Sequence, residues 1–169
     1  MAESGIPERL KAEAYLLPGI GGGVDAIGVL TLGGLFVAHM SGNTAFLGAA
    51  FGQGNWAQGL PHLFAVPVFV IGLFLGYSAI VHSPTPRRCA CILLVEAALL
   101  AVFLACLQVF GDQARNSAAY FLIATPPLLA MGLQNATLRQ IGRSSFPSTY
   151  VTGVLDLLPT VVCHEGNQQ

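Results

Sequence analysis

Long apolar stretches alternate with short polar segments along most of the 169 residues. About 20 apolar residues suffice for a helix to cross a bilayer, where every backbone polar group needs an internal partner. The pattern therefore predicts an all-α fold, a polytopic helical membrane bundle of about 5–6 membrane segments. We expect the segments at 15–38, 42–53, 60–81, 89–111, 118–138 and 148–163, within a membrane domain at 15–163 between polar tails at 1–14 and 164–169.

Two of these segments differ from a simple span. Residues 42–53 are too few to cross a bilayer, which is typical of a re-entrant segment or a half-helix. Residues 118–138 contain Pro126 and Pro127, and because proline removes a backbone hydrogen bond, we expect a kink or break there. Glycines spaced four residues apart are typical of close helix contacts, and they occur as the pairs Gly19/Gly23 and Gly72/Gly76.

The composition strengthens the membrane interpretation. Apolar residues are 54% and charged residues 9% of the chain, and the mean hydropathy is +0.67, whereas soluble domains have about 25% charged residues. The net charge of -1 offers no basic field for nucleic acid, so the expected partner is the lipid bilayer. The four cysteines lack the spacing of a zinc site or a disulfide framework, and we expect no metal and no cofactor.

The positions of Lys and Arg bear on orientation, because these residues are enriched in cytoplasmic loops. If the N-terminal tail is cytoplasmic, residues 42–53 are re-entrant and segments 15–38 and 118–138 run in opposite directions, as in the inverted repeats of secondary transporters. If residues 42–53 span instead, the tail lies outside and the repeat is parallel. The positions of the basic residues are compatible with both topologies. These residues are Arg9, Lys11, Arg87, Arg88, Arg139 and Arg143.

A faint internal repeat relates the two ends of the chain. Each half has an Asp or Asn within an apolar segment, followed by a Ser-Gly or Thr-Gly pair that interrupts the next one. The corresponding residues are Asp25-Ala26, Phe36 and Ser41-Gly42 in the first half, and Asn135-Ala136, Phe146 and Thr152-Gly153 in the second.

Asp25 is the main candidate for a functional residue. A charge in lipid costs at least ~2.5 kcal/mol, so this carboxylate is expected to face the inside of the bundle. Gly21 and Gly28 lie on the same helical face and allow another backbone to approach. Asp25 is then a proton or cation acceptor or a substrate contact; the alternative is a structural carboxylate bonded to Ser41, Asn43 or a neighbouring helix.

The other candidates are polar residues within or between apolar segments. Glu96 lies in mid-span and is expected to pair with Asp25 or Gln134. Nothing in the spacing demands a catalytic triad or an aspartyl protease site, so we expect no enzyme activity. The histidines at 62, 82 and 164 are expected at the membrane interface. The full set of candidates for a substrate or ion pathway is Asp25, His39, Ser41, Asn43, Thr44, Glu96, Gln134, Asn135, Thr152 and Asp156.

Several motifs resemble the YoaK family of multi-pass, mostly bacterial inner-membrane proteins. These motifs are Gly-Val-Asp-Ala at 23–26, Phe-Val-Ala-His-Met-Ser-Gly-Asn-Thr at 36–44, Met-Gly-Leu-Gln-Asn-Ala at 131–136 and Thr-Tyr-Val-Thr-Gly at 149–153. The resemblance implies an integral protein of the inner membrane and supplies no reaction or ligand. Family members continue with further membrane segments, so a truncated copy is expected.

Two functions stay open at this point. Intramembrane acids, a broken segment and a repeat favour a transporter of a small solute or ion, coupled to protons. Small-residue packing pairs and the short length favour a structural or assembly protein of the membrane, or a truncated non-functional copy. In either case a homo-oligomer is a candidate partner.

Overall fold

The computed structural model describes residues 8–81, 85–110 and 119–141, and within these the side chains of residues 16–80, 85, 87–110 and 119–137. Every regular element in the described ranges is a helix, which confirms the all-α prediction. The helices are α1 (Glu8–Thr31), α2 (Met40–Gly52), α3 (Trp56–Val81), α4 (Pro86–Phe110) and α5 (Ala119–Ile141).

The first helix ends earlier than the apolar pattern predicts. Continuation to Ala38 is wrong, because α1 stops at Thr31. Gly33 and Gly34 follow with φ of 68° and 96°. These positive φ values belong to the left-handed backbone region, and two successive glycines with such values turn the chain out of the helix. Residues 32–39 then connect α1 to α2 without regular structure.

The fifth helix passes through both of its prolines. The predicted break at Pro126 and Pro127 is wrong, since α5 is one helix with both residues inside it. Its side chains at 130–137 are all buried. Because α3 and α4 both pack along it, tertiary contacts hold the helix where local hydrogen bonding is weakened.

Glycines bring α3 and α5 into backbone contact. A Cβ on Gly72 would lie 2.5 Å from the Leu129 carbonyl oxygen, and one on Gly132 would lie 2.7 Å from the Leu73 nitrogen. The predicted packing role of Gly72 and Gly76 is confirmed, with Gly132 on the opposing helix completing the contact. Gly19 and Gly23 make no such contact with the described residues, where both are exposed and a Cβ on either would meet nothing within 4 Å.

Contacts along the helices define their relative directions. Phe64 meets Phe121 near the start of both α3 and α5, and Gly76 meets Leu133 further along both, so these two helices are parallel. In contrast, Gly21 lies against Gln134 while the Tyr120 hydroxyl donates to the Leu32 carbonyl at 2.8 Å, so α1 and α5 are antiparallel.

The short helix α2 forms an antiparallel hairpin with α3. Asn43 near its start contacts His62, and Phe51 near its end contacts Gly59. Because α3 runs opposite to α1, α2 runs in the same direction as α1. The helices α1 and α2 therefore end at the same end of the bundle, and the chain between them runs back toward the other end.

Two of the described helices are long and apolar enough to cross a membrane by length and composition. They are Trp56–Ile80, with mean hydropathy 2.2, and Arg87–Phe110, with mean hydropathy 2.7; α1 contributes a shorter apolar stretch, Leu16–Thr31. Large apolar side chains of α4, such as Leu94 and Val109, are 69% and 75% exposed. Such faces are typical of helices that contact lipid.

Candidate functional site

Residues 35–39 fold back along α1, and we call this stretch the return segment. Leu35 and Val37 lie against Gly28, where a Cβ would come within 2.9 Å of the Leu35 carbonyl oxygen. Ala38 lies against Gly21, further back along α1. The return segment of the same chain therefore packs against the glycine face of α1 that contains Asp25. As a result, α2 begins beside that carboxylate.

The Asp25 carboxylate binds three successive residues of the return segment. Its Oδ1 accepts hydrogen bonds from the backbone N–H of Val37 at 2.6 Å and of Ala38 at 2.7 Å. Its Oδ2 contacts Nδ1 of His39. Ser41 and Asn43 were the expected partners of a structural carboxylate. Asp25 bonds to neither of them and instead bonds to the residues of the return segment just before them.

This bonding pattern gives the two oxygens of Asp25 different roles. The two N–H groups can only donate, so Oδ1 is an acceptor whatever the charge of Asp25. The remaining contact joins Oδ2 to Nδ1 of His39, and the proton between them belongs to either atom. Asp25 is buried, whereas the His39 side chain is 29% exposed. The pair therefore joins a buried acid to a partly exposed base.

Asn43 bonds to another residue of the return segment. Its Oδ1 accepts from the Phe36 N–H at 3.1 Å, and its Nδ2 donates to the Phe36 carbonyl at 2.6 Å. These two bonds set the orientation of the amide. Because Oδ1 is then an acceptor, His62 Nδ1, which lies 3.0 Å away, must carry a hydrogen and donate it. Asn43 is fully buried and so links the return segment to α3.

His62 is the functional candidate that sequence reasoning missed. The structure buries it inside the protein, with an exposure of 7% and its ring stacked on Phe46 with centroids 5.3 Å apart. A histidine near the start of an apolar segment is compatible with either location. Only the approach of α2, which brings Asn43 to the ring, distinguishes the two.

A second polar contact lies between α4 and α5. Gln134 Nε2 donates to Glu96 Oε1 at 3.0 Å, and both side chains are buried. Of the two expected partners of Glu96, Gln134 is the one found. The Gln134 side-chain oxygen also lies 3.5 Å from a Cβ placed on Gly21, one helical turn from Asp25. The neighbouring Asn135 is buried, and its Oδ1 has no partner within the described residues.

The remaining candidates do not join these contacts. Ser41 and Thr44 are exposed on α2, and the Thr44 hydroxyl donates to the Met40 carbonyl at 2.9 Å. Ser41 is hydrogen-bonded to neither Asp25 nor His39, so these three residues do not form a triad in the described part of the chain. In the part of the chain that the structure describes, no three His, Cys, Asp or Glu side chains gather as metal ligands. Thr152, Asp156, His82 and His164 lie outside the described residues, as does the repeat from Phe146 onward.

The family follows from a match to residues 14–158, described as "Protein of unknown function (DUF1275)". The chain belongs to the DUF1275 family. The DUF1275 match includes every candidate site residue named above. The chain is also similar to the "UPF0700 transmembrane protein YoaK" of Bacillus subtilis (strain 168), with 30% identity over 135 residues. The resemblance to the YoaK family is thereby confirmed, and the relative's name agrees with a helical membrane protein.

The two chains overlap only in part. The similar region covers 78% of this DUF1275 chain and 58% of the YoaK chain, so it spans less than two thirds of that relative. No solved structure matches the chain.

Proposed function

We propose that this chain is a multi-pass protein of the bacterial inner membrane that moves a small solute or ion coupled to protons. The observation that carries the proposal is the Asp25–His39 pair, a buried carboxylate whose Oδ2 contacts Nδ1 of a partly exposed imidazole. The pair lies where the return segment packs back against α1. Broken segments with polar groups at such a position are typical of the binding sites of secondary transporters.

The proposed topology has α1, α3, α4 and α5 crossing the membrane and α2 re-entering it. Ile92 near the start of α4 packs with Ile80 at the end of α3 and with Leu133 in the second half of α5, so α4, like α1, runs opposite to α3 and α5. The start of α1, the start of α4 and the end of α5 therefore lie at one end of the bundle. By sequence this end carries Arg9, Lys11, Arg87, Arg88 and Arg139. The positive-inside rule makes it the cytoplasmic end. A further segment proposed at 148–163 lies outside the described residues.

Cysteine labelling tests this topology. In a chain lacking Cys89, Cys91, Cys106 and Cys163, single cysteines replacing Ser4 and Ser83 should react with an impermeant maleimide only from the cytoplasm. A cysteine replacing Gln113 should react only from outside, because α4 separates it from position 83. All three positions lie in segments outside the described residues. Labelling of position 4 from the same side as 113 would contradict the re-entrant topology and support a spanning α2.

Proton movement tests the coupling. The purified chain is placed in liposomes that contain a trapped pH-sensitive dye, and gradients of sodium, potassium, chloride, acetate or glycine are imposed one at a time. We expect at least one gradient to move protons faster than in protein-free liposomes. Asp25→Asn should reduce that rate to the protein-free value, because asparagine keeps an acceptor for the N–H groups of Val37 and Ala38 but cannot release a proton.

The matched control for this assay is Ser78→Ala. Ser78 is exposed on α3 and its hydroxyl donates only to the Leu75 carbonyl, so the variant should retain the wild-type rate. An Asp25→Asn rate equal to wild type would refute coupling through Asp25. If no probe moves protons through the folded wild type, the transporter proposal fails for these solutes.

A structural role in membrane assembly is the second candidate, and one observation favours it. All three bonds of Asp25 go to the return segment of its own chain, so the carboxylate satisfies backbone groups that would otherwise be unpaired in an apolar setting. A folded chain that is inert to every probe, and whose Asp25→Asn variant assembles normally, would favour this role.

A further inference from the structure

The Glu96 carboxyl group has one oxygen that the contacts described so far do not use. Glu96 is 4% exposed and lies between α4 and α5. Oε1 accepts from Gln134, whereas Oε2 has no hydrogen-bond partner in the described part of the chain. An ionised carboxylate without a cationic partner is costly to bury, so this oxygen requires a positively charged ligand.

The surrounding groups favour a proton over a metal ion. Sodium, magnesium and calcium need several oxygen ligands around them. Gln134, however, turns its N–H toward Glu96 and its oxygen toward Gly21, so it presents a donor and no ligand. The one side chain that is hydrogen-bonded to Glu96 therefore offers a metal ion no oxygen ligand. A single proton on Oε2 instead removes the charge and leaves Oε1 free to accept from the amide.

No charged side chain in the described ranges balances Glu96 directly. Within the described residues Gln134 is the one hydrogen-bond partner of the Glu96 carboxyl group, and neither carboxyl oxygen is hydrogen-bonded or paired to a basic group. The described titratable or charged groups of the helices around it are Asp25 on α1, His62 and Tyr77 on α3, Arg87, Arg88, Cys89, Cys91 and Cys106 on α4, and Tyr120 on α5.

We propose that Glu96 is a second proton-binding group, which carries its proton on Oε2 and is positioned by Gln134. Gln134 bonds to Glu96 on one side and lies against Gly21 on the other, one turn of α1 from Asp25. The part of Glu96 in a proton pathway rests on the proposed function. The protonation of Glu96 does not, and it can be measured without any transport.

Infrared spectroscopy of the purified full chain at neutral pH tests the proposal. Glutamate labelled with 13C at the side-chain carboxyl is incorporated into the otherwise unmodified chain. We expect a protonated carboxylic C=O band that shifts on labelling, is lost in Glu96→Gln and persists in Asp25→Asn. Glu3→Gln is the matched control, since it makes the same chemical change in the polar N-terminal tail, and it should keep the band.

Two results would overturn the proposal: a labelled wild type without a label-sensitive protonated band, or a band that survives in Glu96→Gln. The labelled wild type remains decisive even if the Gln variant fails to fold. The outcome also separates this inference from the proposed function. A band with no proton movement in liposomes would remove the transporter alone, and Asp25-dependent movement without the band would remove only the role of Glu96.

Discussion

Replacing Asp25 with leucine should strongly destabilise the bundle, whereas replacing it with asparagine should leave its melting temperature nearly unchanged. Leucine removes the acceptor for the N–H groups of Val37 and Ala38, which are both buried. Each buried unsatisfied group costs about 1–3 kcal/mol, so the two together predict a loss of several kcal/mol. Gel filtration in detergent after stepwise heating measures the fraction that remains folded.

The asparagine variant serves as the internal control, because it differs from leucine in polarity while having a similar size. Equal stability of Asp25→Leu and wild type would show that the return segment does not depend on the carboxylate. Equal damage in both variants would mean that the charge itself, rather than the accepted hydrogen bonds, is required for folding.

The second large effect is expected at the contact between α3 and α5. In Gly132→Ala the new Cβ would collide with the carbonyl oxygen of Phe69 and lie 2.7 Å from the Leu73 nitrogen. These are backbone atoms of a helix and cannot turn aside as a side chain can, so the two helices must separate. Overpacking typically costs 1–3 kcal/mol, roughly, and occasionally more. The melting temperature should fall markedly in the same heating assay.

Gly48→Ala is the matched control. Gly48 is an exposed residue of α2 where a Cβ would meet nothing within 4 Å, so the same substitution should be neutral or slightly stabilising. If Gly132→Ala melts at the same temperature as Gly48→Ala, the close approach of α3 and α5 described above is wrong.

The face of α1 that holds Asp25 was predictable because it depends on local spacing alone. Gly21, Asp25 and Gly28 recur at helical intervals, and a carboxylate in an apolar segment must turn inward. The pairing of Glu96 with Gln134 was predictable for a related reason. Few polar groups lie in the apolar segments, and each of them has few partners to choose from.

The return segment was not predictable in the same way. Residues 32–38 are as apolar as the helix before them, so periodicity extends the helix. The helix ends because Gly33 and Gly34 adopt positive φ values and because Asp25 bonds to residues distant along the chain. These bonds form only once the chain has reversed. The continuity of α5 through Pro126 and Pro127 likewise depends on packing against other helices.

The start of α2 beside Asp25 has an electrostatic consequence. A helix carries a positive partial charge of about half an elementary unit at its N-terminus, and here that end, next to His39, lies against the only charged side chain between residues 16 and 80. No lysine or arginine in that range supplies a positive charge to Asp25. The position of α2 thus adds a favourable electrostatic interaction to the hydrogen bonds that Asp25 accepts from the return segment.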